Sequence, residues 1–314
     1  MFTKRIRIKS ENVFILLTVL FLLNGCSKSN LQKDSSSNTN ILPNILYTEV
    51  NRRPDGIYEE FGKLMQYQIA SGNKWELFPD LNVTNRFPRF FPDNKKIILL
   101  AWPSRKIPLF YLININEKKR TIIDFCNELK LQDVMDGVSD IAVVDDTSFL
   151  FGFRDNLYLT SILDSSKTVL KNFNGKRLGR FSLSKSKNLL AFSYQLGFDN
   201  IKQEKLGLYN LEKDLIEFLD IKIYKMGNFS PSSDKLVFAD SIRSVSLLDT
   251  KTREISKLKD FPGLKNIDLG YVFFINDKTL IILDAHKEYL YNLESKSIIK
   301  TTSLGIYFDV SVNY

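Results

Sequence analysis

The sequence is short of the residues that most metal and nucleophile chemistry requires. Its 314 residues include one histidine, His286, and two cysteines, Cys26 and Cys126. Transition-metal centres of the usual kind draw on several His or Cys ligands, so this supply argues against a metal site. His286 lies in "LDAHKEY", a turn-like stretch with no oriented partner nearby, and reads as a surface residue instead of a catalytic base. There is no GxSxG elbow, no HExxH helix and no phosphate loop, so no catalytic residue and no cofactor is assigned. Long apolar runs are missing too. The run "VFILLTVLFLL", residues 13 to 23, is eleven residues long, well short of the roughly 20 that cross a bilayer core. Clustered positive charge is also absent. The net charge is +8, but Lys4, Arg5, Arg7 and Lys9 less Glu11 supply three of it, and the remaining +5 is spread thinly. That excludes the dense basic stripe by which a protein tracks phosphates, and no nucleic-acid partner is expected.

What the N-terminus does contain is an address. Four cations precede the eleven-residue apolar run, which has the length of a secretory h-region. Directly after it stands "LNGC", residues 23 to 26, which resembles the lipobox of bacterial lipoproteins, with Asn24 where that family usually has a small or apolar residue. The resemblance implies cleavage before Cys26, a diacylglycerol thioether on its sulfur and acylation of the new N-terminus. Ser27 after the cysteine resembles lipoproteins sent on to the outer membrane in diderm bacteria. The next stretch, "SKSNLQKDSSSNTN", is nearly free of apolar residues and reads as a flexible tether. The expected organisation is a signal peptide over 1–25, a lipidated cysteine and tether over 26–44, and a folded domain over 45–314. Two or more acyl chains make such anchoring stable, at about 0.8 kcal/mol per buried methylene. With Cys26 lipidated, Cys126 is the last thiol, so the domain has no internal disulfide and Cys126 in "IIDFC" reads as a small buried hydrophobe.

The domain repeats itself. "GNFSPSSDKLVFAD" (227–240) reads as strand, polar turn and apolar strand, and the plan recurs in "RFFPDNKKIILLAW", "FSLSKSKNLLAFSY" and "VFFINDKTLIILD", with a degenerate copy in "DIAVVDDTSFLFGF". Each is followed by an alternating strand, a second polar turn and a further strand, as in "LGLYNLEKDLIEFL". The last apolar residues before these second turns, Ile69, Ile115, Leu163, Leu211, Leu248 and Leu293, are 46, 48, 48, 37 and 45 residues apart. Apolar residues alternate or run in short blocks and never hold an amphipathic-helix spacing; only 124–136 has room for a helical turn or two. Six units of four short strands predict an all-β, six-bladed β-propeller of four-stranded blades. The first unit lacks its innermost strand, and "LGIYFDVSVNY" (304–314) lacks a partner. The C-terminal segment is therefore expected to supply strand A of the first blade and close the ring, leaving no unpaired seam.

"FSPSSDKLVF" and "FPDNKKIILL" resemble the F-S-P-D-G-x-x-I-A-F repeat of the TolB-like propellers, a family of exported six-bladed domains, over nearly all of 45–314. The resemblance implies a fold and a structural role for these residues. Members of the family include envelope scaffolds, domains attached to peptidases and carbohydrate-related domains, so the fold does not choose a function.

Strand parity offers a better handle. In an antiparallel blade the B to C loop and the D to next-A connection leave at one end, and the A to B and C to D turns at the other. The long segments 51–62, 103–108, 195–207 and 124–137 all belong to the first end. They carry Arg52, Arg53, Tyr58, Arg105 and Phe198, with Trp102 at the base of one, and Arg with aromatics is the composition of interaction hot spots. The expected function is a lipid-anchored envelope module binding an envelope protein or glycan through this face. The alternative is a carbohydrate-active enzyme using carboxylates near the central channel.

Overall fold

A strand with apolar residues on both faces can bury them only between two other sheets. In the computed structural model of this chain six sheets solve the problem by stacking around one axis. The structure describes residues 44–49, 62–79, 84–102, 109–123, 138–196, 204–242, 244–258, 270–284, 287–303 and 307–313. The chain divides into two units, Met1–Asn40 and Ile41–Tyr314, and every described residue lies in the second.

Blade 1 contains β1 (Asn44–Glu49), β2 (Lys63–Gln68) and β3 (Lys74–Glu76). Blade 2 is β4 (Thr84–Phe90), β5 (Lys96–Trp102), β6 (Leu109–Asn114) and β7 (Lys119–Ile123). Blade 3 is β8 (Val138–Val143), β9 (Ser148–Phe153), β10 (Asn156–Ser161) and β11 (Lys167–Asn172). Blade 4 is β12 (Lys176–Leu183), β13 (Leu189–Leu196), β14 (Glu204–Asn210) and β15 (Leu215–Ile223). Blade 5 is β16 (Lys225–Phe229), β17 (Lys235–Ser241), β18 (Ser244–Asp249) and β19 (Ile255–Lys257). Blade 6 is β20 (Tyr271–Asn276), β21 (Thr279–Leu283), β22 (Lys287–Asn292) and β23 (Ser297–Ser303). The last strand, β24 (Tyr307–Asn313), pairs antiparallel with β1, Asn44 opposite Asn313 and Glu49 opposite Tyr307. It completes blade 1 as the order β24-β1-β2-β3, as the leftover C-terminal segment predicted. The short step of 37 residues also has a cause: Tyr224 alone joins β15 to β16, and two residues join β17 to β18.

The first strands β24, β4, β8, β12, β16 and β20 touch one another in ring order and line the axis. Each pairs with its B strand through a register shift, and such bulges add the twist that a strand against a narrow channel needs. Gly227 in β16 marks how close this layer is. A Cβ there would stand 2.3 Å from the Val237 carbonyl oxygen and 2.6 Å from that of Val272 in the next blade.

Six apolar clusters fill the six seams, each drawn from two neighbouring blades. Between blades 2 and 3 the rings of Phe110, Phe149 and Phe151 lie with centroids 5.2 to 6.3 Å apart. The closing seam is built like the others: Ile45, Tyr47 and Tyr67 of blade 1 pack on Phe273, Ile281 and Leu290 of blade 6. Burial of apolar side chains at about 25 cal/mol per Å² is the main source of stability in such a seam.

Candidate functional site

The two ends of the ring differ in how their backbone is used. At the turn end, short side chains close the A to B and C to D turns. Asp93 Oδ1 accepts the amides of Lys95 and Lys96 at 2.9 and 3.2 Å. The Ser230 hydroxyl accepts Lys235 N, and the equivalent Ser184 accepts Leu189 N. Asn114, Asn210, Asp249 and Asn292 do the same in C to D turns. Asp145, beside Asp146 in an A to B turn, is one of these caps. Burial pushes its carboxyl up, but hydrogen bonds from Ser148 and Thr147 outweigh that and hold it below its usual range. These groups are spent on their own loops.

At the opposite end the B and D strands terminate. β5 ends there at Trp102, whose backbone faces Thr84 at the start of β4. The residues expected to bind a partner, Arg52, Arg53, Tyr58, Arg105 and Phe198, lie outside the described residues, as do Cys26, Cys126 and His286; for Trp102 the backbone alone is described.

A groove of about 430 Å³ also opens at this end, between the outer halves of blades 4 and 5. Its lining includes Asp220, Asp240, Ser244, Ser246 and Lys257. Asp240 Oδ2 accepts the Ser246 hydroxyl at 3.0 Å and pairs with Lys257 Nζ at 3.2 Å. Burial raises the Asp240 carboxyl, yet hydrogen bonds from Ser244, Lys257 and Ser246 bring it below the ordinary value. Lys205, 2.6 Å away, lowers Asp220 likewise. Both groove carboxylates are therefore anions at neutral pH. Neither has the raised pKa that a glycosidase general acid needs.

The channel itself holds a charge cluster that sequence reading missed. Asp140 in β8 is buried. Arg89 of β4 donates Nη2 to its Oδ1 at 2.5 Å, and Arg180 of β12 stands 3.9 Å from the same oxygen. The Ile141 and Phe181 amides also donate to the carboxylate, at 2.8 and 3.0 Å. Arg89 reaches on to the Ile141 carbonyl at 2.9 Å, and the Arg180 guanidinium lies 4.3 Å over the Phe87 ring. Three blades are thus tied together by ions, while Asn228 ties blades 5 and 6 by bonding both the amide and the carbonyl of Phe274. The signal was present in "RFPRFF", "VSDIAV" and "LGRFSL", where Arg89, Asp140 and Arg180 stand beside apolar residues in the inner strands of three consecutive blades. With hydrogen bonds from Arg89 and two amides and the Arg180 guanidinium 3.9 Å away, Asp140 braces the inner strands.

Above this brace, at the turn end, lies a cavity of about 420 Å³ lined by residues of β4, β8, β12, β16 and β20 and the turns after them. Arg89 forms part of its floor, and Lys185 and Lys187 stand in its wall.

No protein-family model and no curated protein matches the chain. Solved structures do. A chain of the nidogen/laminin complex superposes with a TM-score of 0.63 at 11% identity, covering 86% of this chain and 98% of that one. TolB from Acinetobacter baumannii gives 0.62 at 15% identity, over 85% of this chain and 65% of that one. Regucalcin from Agrobacterium tumefaciens strain C58, a calcium-binding protein, gives 0.52 at 14% identity, over 69% of this chain and 73% of that one. The likeness is one of fold. These identities carry the six-bladed architecture across and nothing finer.

Proposed function

We propose that this chain is a lipid-anchored binding or scaffold module of the bacterial cell envelope that recognises an envelope protein or glycan through the end bearing its long loops. In this reading residues 1–25 are the signal peptide, Cys26 carries the lipid, 27–44 are the tether and the propeller is presented above the membrane, the outer one in a diderm. The observation that carries it is strand polarity. The antiparallel order of the blades brings β1, β5, β7 and β13, the strands that precede the four long segments of the sequence, to their ends on one side of a closed ring, whereas the turns at the other end are filled by their own caps. Loops on a rigid scaffold are where binding residues concentrate. The fold neighbours support a binding role only in general: one comes from the nidogen/laminin complex and one is a calcium-binding protein.

The test is recovery of the partner from crosslinked membranes. Arg53→Ala or Arg105→Ala should cut recovery sharply, since hot-spot truncations cost about 2 kcal/mol or more, roughly thirtyfold in affinity. Lys213→Ala, an exposed cation in a C to D turn at the other end, should leave it unchanged. The mature protein should carry acyl mass at residue 26. Loss of recovery with Lys213→Ala while both arginine variants bind normally would move the binding surface to the turn end, and an unlipidated mature N-terminus would remove the anchor.

A further inference from the structure

The cavity at the turn end of the channel lies at the opposite end from the long loops, so an inference about it stands independently of the function proposed above. Counting back two residues from the amides that close four successive A to B hairpins, those of Phe91, Val144, Ser184 and Ser230, gives Arg89, Ala142, Ser182 and Asn228. All four line the cavity. One blade therefore places a guanidinium at a level where the next three place small or neutral groups. Arg89 uses three of its five N–H groups, on Ile141 O, Pro88 O and Asp140. Two remain on a guanidinium that is 18% exposed. Lys185 and Lys187, exposed in the A to B turn of blade 4, add two ammonium groups to the lining. No acidic side chain lines the cavity among the described residues. Asp140, next to the lining residue Ile141, is buried and already held by Arg89 and by the Ile141 and Phe181 amides.

Ser184 and Ser230 also line the cavity, and the rest of the wall is apolar. Val143, Phe229 and Phe273 contribute to it, and low-dielectric walls around same-sign charges focus the potential on whatever enters. A volume of about 420 Å³ is within the range of small-molecule sites, which are mostly apolar with a few convergent polar groups.

We propose that this cavity binds a small organic anion, its carboxylate or phosphate head on Arg89 and the two lysines and its apolar body against Phe229 and Phe273. The charge-assisted bonds orient the head, and the walls exclude water from it.

Calorimetric titration of the full chain with naphthalene-2-carboxylate tests this, with naphthalene-2-methanol as the uncharged isostere and inorganic phosphate as a head without a body. The carboxylate is expected to bind at one site, and the alcohol about tenfold or more weaker. Raising salt from about 50 to about 500 mM should weaken the carboxylate further. Lys185→Glu combined with Lys187→Glu should weaken it about tenfold at an unchanged melting temperature; if that pair lowers the melting temperature, Lys185→Ala alone gives the same reading. Four results would overturn the proposal: no binding of the carboxylate at millimolar concentration, equal affinity for the alcohol, undiminished affinity in the lysine variants, or phosphate binding as tightly as the carboxylate.

Discussion

Glu288 shows what one misfit side chain does in a seam. It alternates with Leu290 along β22 and so faces blade 1 among Tyr67 and its neighbours, with 0% of its surface exposed. Neither carboxyl oxygen has a hydrogen-bond partner among the described residues. Burial raises its pKa above the ordinary carboxylate value, and the nearby Tyr67 hydroxyl and Lys300 ammonium pull it down only in part. A carboxyl whose pKa is raised by folding holds its proton more tightly in the native state. Stability is then fully present below the unfolded pKa and declines as pH rises through the window up to the folded one. Glu288→Gln keeps the shape and removes the titration. The variant should gain at least about 1 kcal/mol at pH 8, because an unpaired buried charge no longer forms, and should lose most of this advantage near pH 4. Urea unfolding at the two pH values reads it directly, and equal midpoints for the two proteins at pH 8 would mean the carboxylate is solvated.

The elements carry a second kind of strain, in their turns. Asn94, Lys187 and Ser233 occupy the same position in three A to B turns with φ of 55°, 61° and 63°. Lys118, Ser165, Asp214, Arg253 and Lys296 take similar values in C to D turns. The left-handed region costs an ordinary side chain roughly 1–2 kcal/mol, against about 0.5–1 kcal/mol of extra chain entropy lost by a glycine. Ser233→Gly, at the position that is Gly in the repeat resembled by "FSPSSDK", is therefore expected to stabilise by about 0.5 kcal/mol. A lower urea midpoint would show that the Ser233 side chain gives back more than the strain takes. Strand existence and turn position were legible in the sequence, because alternation of apolar residues and Asn, Asp, Ser and Pro at turns act within a few residues of one another. The bulges in the inner strands were not. They answer to the channel, which no single blade contains.

At the scale of the molecule the seam between first and last blade decides whether the ring is one cooperative body. β24 supplies the only inner strand of blade 1, pairs with β1 and touches both β4 and β20. Deleting 304–314 should expose the β1 edge and undo the packing of Ile45 and Tyr47 on blade 6, an invitation to edge-to-edge association. Loss of a single sharp thermal transition, or aggregation at concentrations where the intact chain is monodisperse, is the expected outcome. A truncated chain melting like the intact one would make the last strand peripheral.

The number of blades, the order of strands within them and the closing strand were determined by sequence alone, since each follows from a repeat counted along the chain and a remainder that must find a partner. The residue pairs that matter across blades were decided only by the tertiary structure. Arg89, Asp140 and Arg180 are successively 51 and 40 residues apart in sequence, and meet because the ring sets equivalent strand positions side by side around a common axis. Glu288 meets Tyr67 across the closing seam for the same reason. Local pattern specifies the face on which a side chain emerges; which charge it meets there depends on the radius and stagger of the closed ring, and those exist only once all six blades are packed.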